Sequence, residues 1–267
     1  MAFRELLSQK TGITKEKLPG SYQILGRVFI AKMPRMAEEE KKKAAQAVLE
    51  MFPRVKTVCE IRGVRGELRE PDVRKIAGNG TETVVMEHGI KYKLDTSKIM
   101  FSKGNHHERQ RVAKLVLPND VVMDMFAGIG YFTLGIARNA SKVIAIEKNP
   151  IAFAYLKENV KLNGLANVET LNSDSRNVEI NEKADRIIMG YFPGTEAFIP
   201  FAIRMLKDKG TIHYHNVCDE GELEKKDDFA SFAERTGFSY KILLKKKVKG
   251  AAPKKIHYVM DVAVEKK

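Results

Sequence analysis

Residues 121–132 read Val-Val-Met-Asp-Met-Phe-Ala-Gly-Ile-Gly-Tyr-Phe. A near-continuous apolar run is the pattern of a strand buried on both faces, as parallel sheets require. Two glycines follow, and then a helical pattern begins. Gly128 and Gly130 have no Cβ, so a ligand can approach the backbone there. A helix start also presents free N–H groups and the positive end of the helix dipole. Asp124 sits at the strand end, where doubly wound sheets bind their ligands. A second reading stays open, in which the glycines serve only the geometry of a strand–helix turn.

Working outward, the chain after about residue 105 alternates strands and helices. Helices are expected at 106–117, 131–139, 150–163, 196–206 and 222–236. Strands are expected at 121–126, 142–146, 168–171, 184–189 and 210–216, with two more at 238–248 and 256–264. Alternation argues for a parallel, doubly wound α/β sheet, and two closing strands with no helix between them argue for an antiparallel edge hairpin. Before residue 105 the pattern is a small α+β module: β-like runs at 22–33 and 56–62, a helix at 37–51, and a hairpin over 83–94 with Gly89 at its turn. A basic loop is expected at 62–66. The domains are therefore read as 1–95, a linker at 96–105, and 106–267.

The 267 residues are 43% hydrophobic and 30% charged, enough apolar material for a core, so disorder of the whole chain is excluded. No apolar run approaches the roughly 20 residues of a membrane span, and the N-terminus lacks the pattern of a secretory signal. Cys59 and Cys218 are too few for a disulfide scaffold or a cysteine zinc site, and a cytoplasmic protein is expected. Lys and Arg total 47 against 34 acids, a formal charge of +13, which favours a polyanionic partner.

The full GxGxxG dinucleotide pattern is missing, because Thr133 stands three residues after Gly130. The stretch D-x-F-A-G-x-G-x-F from Asp124 to Phe132 instead resembles motif I of the class I S-adenosylmethionine-dependent transferases, a Rossmann-like fold. The resemblance implies S-adenosylmethionine as co-substrate, with Asp124, Phe126, Gly128, Gly130, Glu147, Asp174 and Ser175 around it. Glu147 closes the next strand, where a carboxylate accepts from both ribose hydroxyls. Asp174 ends the third βα unit, where an acid contacts the adenine amino group. As plain structure, Glu147 is also an acid placed before a helix starting at Asn149-Pro150, and Asn172 or Ser173 would serve as loop caps.

Further stretches narrow the resemblance: 101–111 (FSKGNHHERQR), Arg204-Met205-Leu206, His213-Tyr214-His215-Asn216, 249–253 and 257–261. Over residues 22–264 the chain resembles the tRNA (guanine-37-N1)-methyltransferases and their relatives, the wybutosine-synthesising protein 2 enzymes. The first group implies methyl transfer to N1 of guanosine 37. The second, here of archaeal type, implies transfer of the 3-amino-3-carboxypropyl group to C7 of 4-demethylwyosine at position 37 of tRNA(Phe), releasing methylthioadenosine. Neither needs a metal, since the sulfonium is already a good leaving group. Residues 187–196 (IIMGYFPGTE) discriminate. The methyltransferases resemble Asn-Leu-Pro or Asn-Pro-Pro here, whereas Gly190-Tyr191-Phe192 looks like the aminocarboxypropyl enzymes. The short stretch before Tyr22, with no room for a further tRNA-binding domain, points the same way. Ser102 and Arg109 are implied at the methionine end of the cofactor, with Arg111 as the spare. The aminocarboxypropyl transferase is therefore the expected activity, with the guanine methyltransferase as alternative. A non-catalytic tRNA-binding protein and a small-molecule methyltransferase are less well matched to the acid set and the charge.

No general base is assigned. His213 and His215 share one face of their strand; they lack a third metal ligand at matching spacing, and His213 is expected near the base pocket. Tyr191 and Phe192 suit either stacking on an extruded base or core packing; Tyr131 has the same ambiguity. Residues 241–255 hold seven lysines and no acid. Lys245, Lys246 and Lys247, with Arg62, Arg65, Arg69 and Lys41–Lys43, suit phosphate contacts with the tRNA anticodon loop, or else a solvated face. A monomer is expected.

Overall fold

The computed structural model describes residues 2–66, 70–179 and 181–266. The chain divides into two compact units, Met1–Ser102 and Lys103–Lys267.

The first unit opens with α1 (Phe3–Thr11), which buries Leu7 and stops at Gly12, a left-handed residue at φ 67°. Strands β1 (Tyr22–Leu25) and β2 (Val28–Ala31) form a hairpin; α2 (Glu38–Met51) then crosses over to β3 (Thr57–Arg65), parallel to β2. Three acids begin α2, and Ala44, Ala45, Ala47 and Val48 form its buried stripe. Strand β4 (Glu70–Gly78) completes a sheet of order β1-β2-β3-β4. Strands β5 (Glu82–Glu87) and β6 (Ile90–Asp95) make the expected hairpin, with His88 and Gly89 both at positive φ, as a two-residue turn requires.

One expectation here is corrected. Residues 62–66 are not a free basic loop: β3 runs through Arg65 and pairs with β4 as far as Glu70. Arg62 and Arg65 both bond the carboxylate of Asp72, at 2.8 and 2.5 Å. Cross-strand ion pairing makes a strand of a stretch whose glycines and charges read as a loop. Arg69 lies outside the described residues.

The second unit runs α3 (His106–Leu115), β7 (Val121–Asp124), α4 (Thr133–Ile136), β8 (Lys142–Glu147), α5 (Pro150–Leu162), β9 (Val168–Asn172), β10 (Ala184–Met189), α6 (Ile199–Met205), β11 (Leu206–Asp219), α7 (Ala230–Thr236), β12 (Ser239–Ala252) and β13 (Lys255–Glu265). The sheet order is β12-β13-β11-β10-β7-β8-β9. Strands β11, β10, β7, β8 and β9 are parallel; β13 is antiparallel to β11 and β12 to β13. The order reverses between β7 and β10, so their carboxyl ends open the crevice of a doubly wound sheet. Val122, Val143 and Ile188 pack under α3 and α4 on one face; Met123, Ile187, Ile212 and Met260 pack on the other.

Two helices fall short of expectation. The helix expected over 131–139 is a single turn, α4. That expected over 222–236 survives only as α7, because Asp228 turns inward to accept from the Tyr214 and Tyr258 hydroxyls. Asp227 accepts from the Tyr240 hydroxyl and the Phe229 amide. These tertiary bonds override a composition that favours helix. Strand β11 is longer than expected, since β13 pairs with it from Lys209 to Asp219.

Candidate cofactor and substrate site

Asp124 ends β7 wholly buried. It accepts from the Thr133 hydroxyl at 2.8 Å and the Phe126 amide at 3.3 Å. Burial, with Glu147 nearby, pushes its carboxyl up to about 6. Expected among the cofactor residues, it instead ties the strand end to the helix start and gives the loop its shape. Gly128 and Gly130 have φ of +58° and +97°. A Cβ on Gly128 would lie 2.5 Å from the Tyr131 ring, and one on Gly130 2.7 Å from Leu134 Cγ. Backbone conformation and close approach of neighbours thus both demand glycine. The loop amides are spent internally, Gly128 N–H on Glu147 and those of Gly130 and Tyr131 on the Ala127 carbonyl. Tyr131 folds back over Gly128, and the Arg109 guanidinium, buried on α3, stands 6.0 Å from its ring centroid. Arg111, the spare candidate, is braced instead by Glu108 and Asp261. Ser102 is the last residue of the first unit.

Glu147 ends β8 beside this loop. One oxygen accepts Gly128 N–H and the other Asn149 N–H, each at 2.7 Å. Burial raises its carboxyl above the ordinary value, while the amide bonds favour the charged form. A carboxylate offers about four acceptor positions, so each oxygen keeps capacity for a ligand hydroxyl. Asn149 accepts from the Ile151 and Ala152 amides and caps α5, with Pro150 at its first position.

Asp174, after β9, is closed by Arg176. The guanidinium bonds both carboxylate oxygens at 2.9 and 2.6 Å, and Lys148 lies 3.3 Å away. Arg176 holds the acid well below the usual carboxylate range. The next residue, Ser175, is buried, and its hydroxyl has no hydrogen-bond partner among the described residues. An orphaned buried hydroxyl beside this acid fits a missing polar ligand.

Across the switch point, β10 runs into Gly190. Tyr191 stacks on Phe126, with centroids 5.2 Å apart, and Phe126 meets Phe198 edge-on at 4.8 Å. Phe192 stacks on His257 at 4.2 Å. Both rings thus pack within the chain. His213, expected near the base pocket, is buried and bonded to Asp261 at 2.7 Å and to Arg186 at 3.3 Å. Its neighbour on the same face, His215, is the one beside the site. Phe132 meets it edge-on at 5.1 Å, and its Nδ1 pairs with His257 Nε2 at 3.0 Å. Burial lowers His215 to about 4 and also lowers His257, so both are neutral near pH 7. His257 lies in the stretch 257–261 that carries the family resemblance but was given no role there; the pairing of β13 with β11 brings it to the site.

The three consecutive lysines of β12 are engaged. Lys245 donates to the carbonyls of Glu224 and Lys226, Lys246 pairs with buried Glu108 at 3.3 Å, and Lys247 pairs with Glu220 at 3.0 Å. Among the described residues, no three metal-ligating side chains lie together and no helix is long and apolar enough to cross a membrane.

Comparison with known proteins shows the family. The TRM5/TYW2 methyltransferase domain matches residues 83–240, and the TYW2 N-terminal domain matches residues 3–81. The tRNA(Phe) (4-demethylwyosine(37)-C(7)) aminocarboxypropyltransferase of Pyrococcus horikoshii is 40% identical over 269 residues, covering 98% of this chain and 96% of its own length. The tRNA (guanine(37)-N(1))-methyltransferase Trm5b of Pyrococcus abyssi is 35% identical, covering 98% of this chain and 80% of itself. The crystal structure of P. horikoshii TYW2 in complex with MeSAdo superposes with a TM-score of 0.86 at 37% identity, covering 99% of this chain and 98% of that one. The expected class I S-adenosylmethionine-dependent fold is therefore correct, and the chain belongs to the TRM5/TYW2 family.

Proposed function

We propose that this chain transfers the 3-amino-3-carboxypropyl group of S-adenosylmethionine to C7 of 4-demethylwyosine at position 37 of tRNA(Phe), releasing methylthioadenosine. The observation that carries this reading is the near-full-length likeness, at 40% identity, to a protein of that name. The match of residues 3–81 to the TYW2 N-terminal domain favours it over guanine N1-methylation.

The residues present fit the cofactor. Glu147 keeps acceptor capacity for the ribose hydroxyls, the Ser175 hydroxyl awaits a partner, and Gly128 and Gly130 leave the loop without side chains. Arg109 supplies a planar cation for a carboxylate. Asp174 reaches an adenine amino group by giving up a bond to Arg176. When bound, S-adenosylmethionine supplies a sulfonium-activated carbon and a neutral thioether leaving group. The protein's part is then orientation: attack must come in line with one S–C bond, so which carbon faces the base decides the product. The segment at Gly190, Tyr191 and Phe192 offers no side-chain carboxylate, amide or imidazole for a guanine N1 proton and suits a carbon nucleophile. The +13 charge draws the tRNA by long-range attraction.

The test is incubation with S-adenosylmethionine and tRNA(Phe) carrying the tricyclic base, followed by nucleoside mass spectrometry. An aminocarboxypropyl adduct with methylthioadenosine is expected; N1-methylguanosine with S-adenosylhomocysteine would assign the chain to methyl transfer.

A further inference from the structure

Ring substitution at a carbon releases a proton, and none of the acids around the cofactor is free to take it. Asp124 is buried beneath the loop, and the capacity that Glu147 and Asp174 keep beyond their amide and Arg176 bonds is committed, on the reading above, to the ribose hydroxyls and the adenine amino group. Nearby, at the ends of β11 and β13, lies a buried pair of imidazoles. His215 and His257 share one hydrogen bond of 3.0 Å. Their outer nitrogens, His215 Nε2 and His257 Nδ1, are buried with no partner among the described residues. Buried polar atoms are almost always paired, so two orphans in one hydrogen-bonded pair call for a reason. The pair touches both arms of the site: Phe132, two residues beyond Gly130, meets His215 edge-on, and Phe192, two beyond Gly190, stacks on His257.

We infer that the His215–His257 pair is the proton acceptor and relay of the transfer reaction, uncovered when the incoming base takes the place of Phe192 over His257. The inference rests on the reaction proposed above. The C7–Cγ bond forms as the S–Cγ bond breaks, its electron pair going to sulfur and leaving neutral methylthioadenosine. The cationic ring then loses its C7 proton to the lone pair of His257 Nδ1. His257 passes its Nε2 proton to His215 Nδ1, and His215 releases its own Nε2 proton to water. The pair ends in the opposite tautomer, which returns as the protons exchange with solvent. A proton on a cationic ring carbon is strongly acidic, so a weak base suffices, and a base that stays neutral always holds its lone pair ready. The groups facing His215 are Glu108 and Arg111 from α3, His213 from β11, and Asp261 and His257 from β13; Lys249 of β12 faces His257.

The experiment uses the full chain, S-adenosylmethionine, and tRNA with the tricyclic base either protiated or deuterated at C7. His257→Gln and His215→Asn each keep a hydrogen-bonding side chain but cannot relay. We expect kcat to fall by about 100-fold while the Kd for S-adenosylmethionine and the KM for tRNA stay within about threefold. A C7-deuterium isotope effect should be larger in the variants than in the wild type, as proton removal becomes limiting. Unchanged kcat, cofactor affinity falling in step with kcat, or no rise in isotope effect would each overturn the relay. Should the variants fail to fold, 15N spectra of the wild-type imidazoles decide: exchange between the two tautomers is expected, and a single fixed tautomer refutes it. If the wild type forms no methylthioadenosine on this tRNA, the proposed reaction fails and the relay falls with it. If the wild type does so and the variants match it, the relay alone fails.

Discussion

Replacing Glu147 by Gln keeps the size of the side chain and removes its charge. Its two oxygens now accept from Gly128 N–H and Asn149 N–H, both at 2.7 Å. A glutamine amide has one accepting end, so one of these N–H groups will face an NH2 donor. Hydrogen bonds to charged groups contribute about 1.5–3 kcal/mol, and one is lost. For a unit of this size each kcal/mol moves Tm by about 2–4 °C, so Tm should drop, by at most about 12 °C, because relief of the buried charge offsets part of the lost bond. The same change leaves the ribose hydroxyls with one acceptor fewer. An unmade bond of about 1–3 kcal/mol weakens S-adenosylmethionine by about fivefold to 150-fold. Thermal unfolding without ligand measures the first effect and titration calorimetry the second. An unchanged Tm would refute the bracing role of the carboxylate. A lower Tm with unchanged affinity would leave Glu147 as a brace of the glycine loop and remove it from the ligand.

Three further outcomes follow from the same geometry. Asp124 has its carboxyl raised from 3.8 to about 6 by burial, so its charged form costs stability that grows as pH rises from 3.8 to 6 and vanishes below 3.8; the stability of Asp124→Asn relative to the wild type should therefore rise by about 2 kcal/mol between pH 4 and pH 7 in urea titrations, and a flat difference would contradict it. Arg176→Ala frees the Asp174 carboxylate, so calorimetry should give tighter S-adenosylmethionine binding, while Asp174→Ala weakens it; weaker binding in Arg176→Ala would mean that the arginine itself holds the ligand. Affinity for tRNA should fall steeply as salt rises, because phosphate neutralisation releases counterions, and an affinity flat between 50 and 200 mM salt (about the range over which such complexes weaken strongly) would rule out electrostatic docking.

Most of the second unit was legible because its strands are short apolar runs separated by glycines and helical spacing, a pattern set by burial on both faces. What escaped was decided by partners distant in sequence. Strand β11 begins at Leu206 because β10 pairs with Leu206 and β13 with Lys209, so pairing at both ends draws in the polar stretch Lys207 to Lys209, which carries no strand signal of its own. The helix expected over 222–236 yields to Asp227 and Asp228, whose carboxylates are claimed by three tyrosine hydroxyls. In the site, Gly128, Gly130 and Glu147 were readable from the motif and the strand ends. That Arg176 closes Asp174 was not, since an Arg two residues beyond an acid is common in any loop. The choice between His213 and His215 was equally hidden. Both share a face, and only Asp261 on β13 draws one into a charged cluster while His257 draws the other toward the site.

The central claim is the direction of group transfer, and the by-product reads it most directly. The full chain is incubated with S-adenosylmethionine and tRNA(Phe) bearing 4-demethylwyosine at position 37, and the small molecules released are separated by mass. Methylthioadenosine is expected, equimolar with an aminocarboxypropyl adduct on the tRNA, with no N1-methylguanosine from an unmodified transcript. S-adenosylhomocysteine with N1-methylguanosine on that transcript, and no adduct on the tricyclic base, would contradict it.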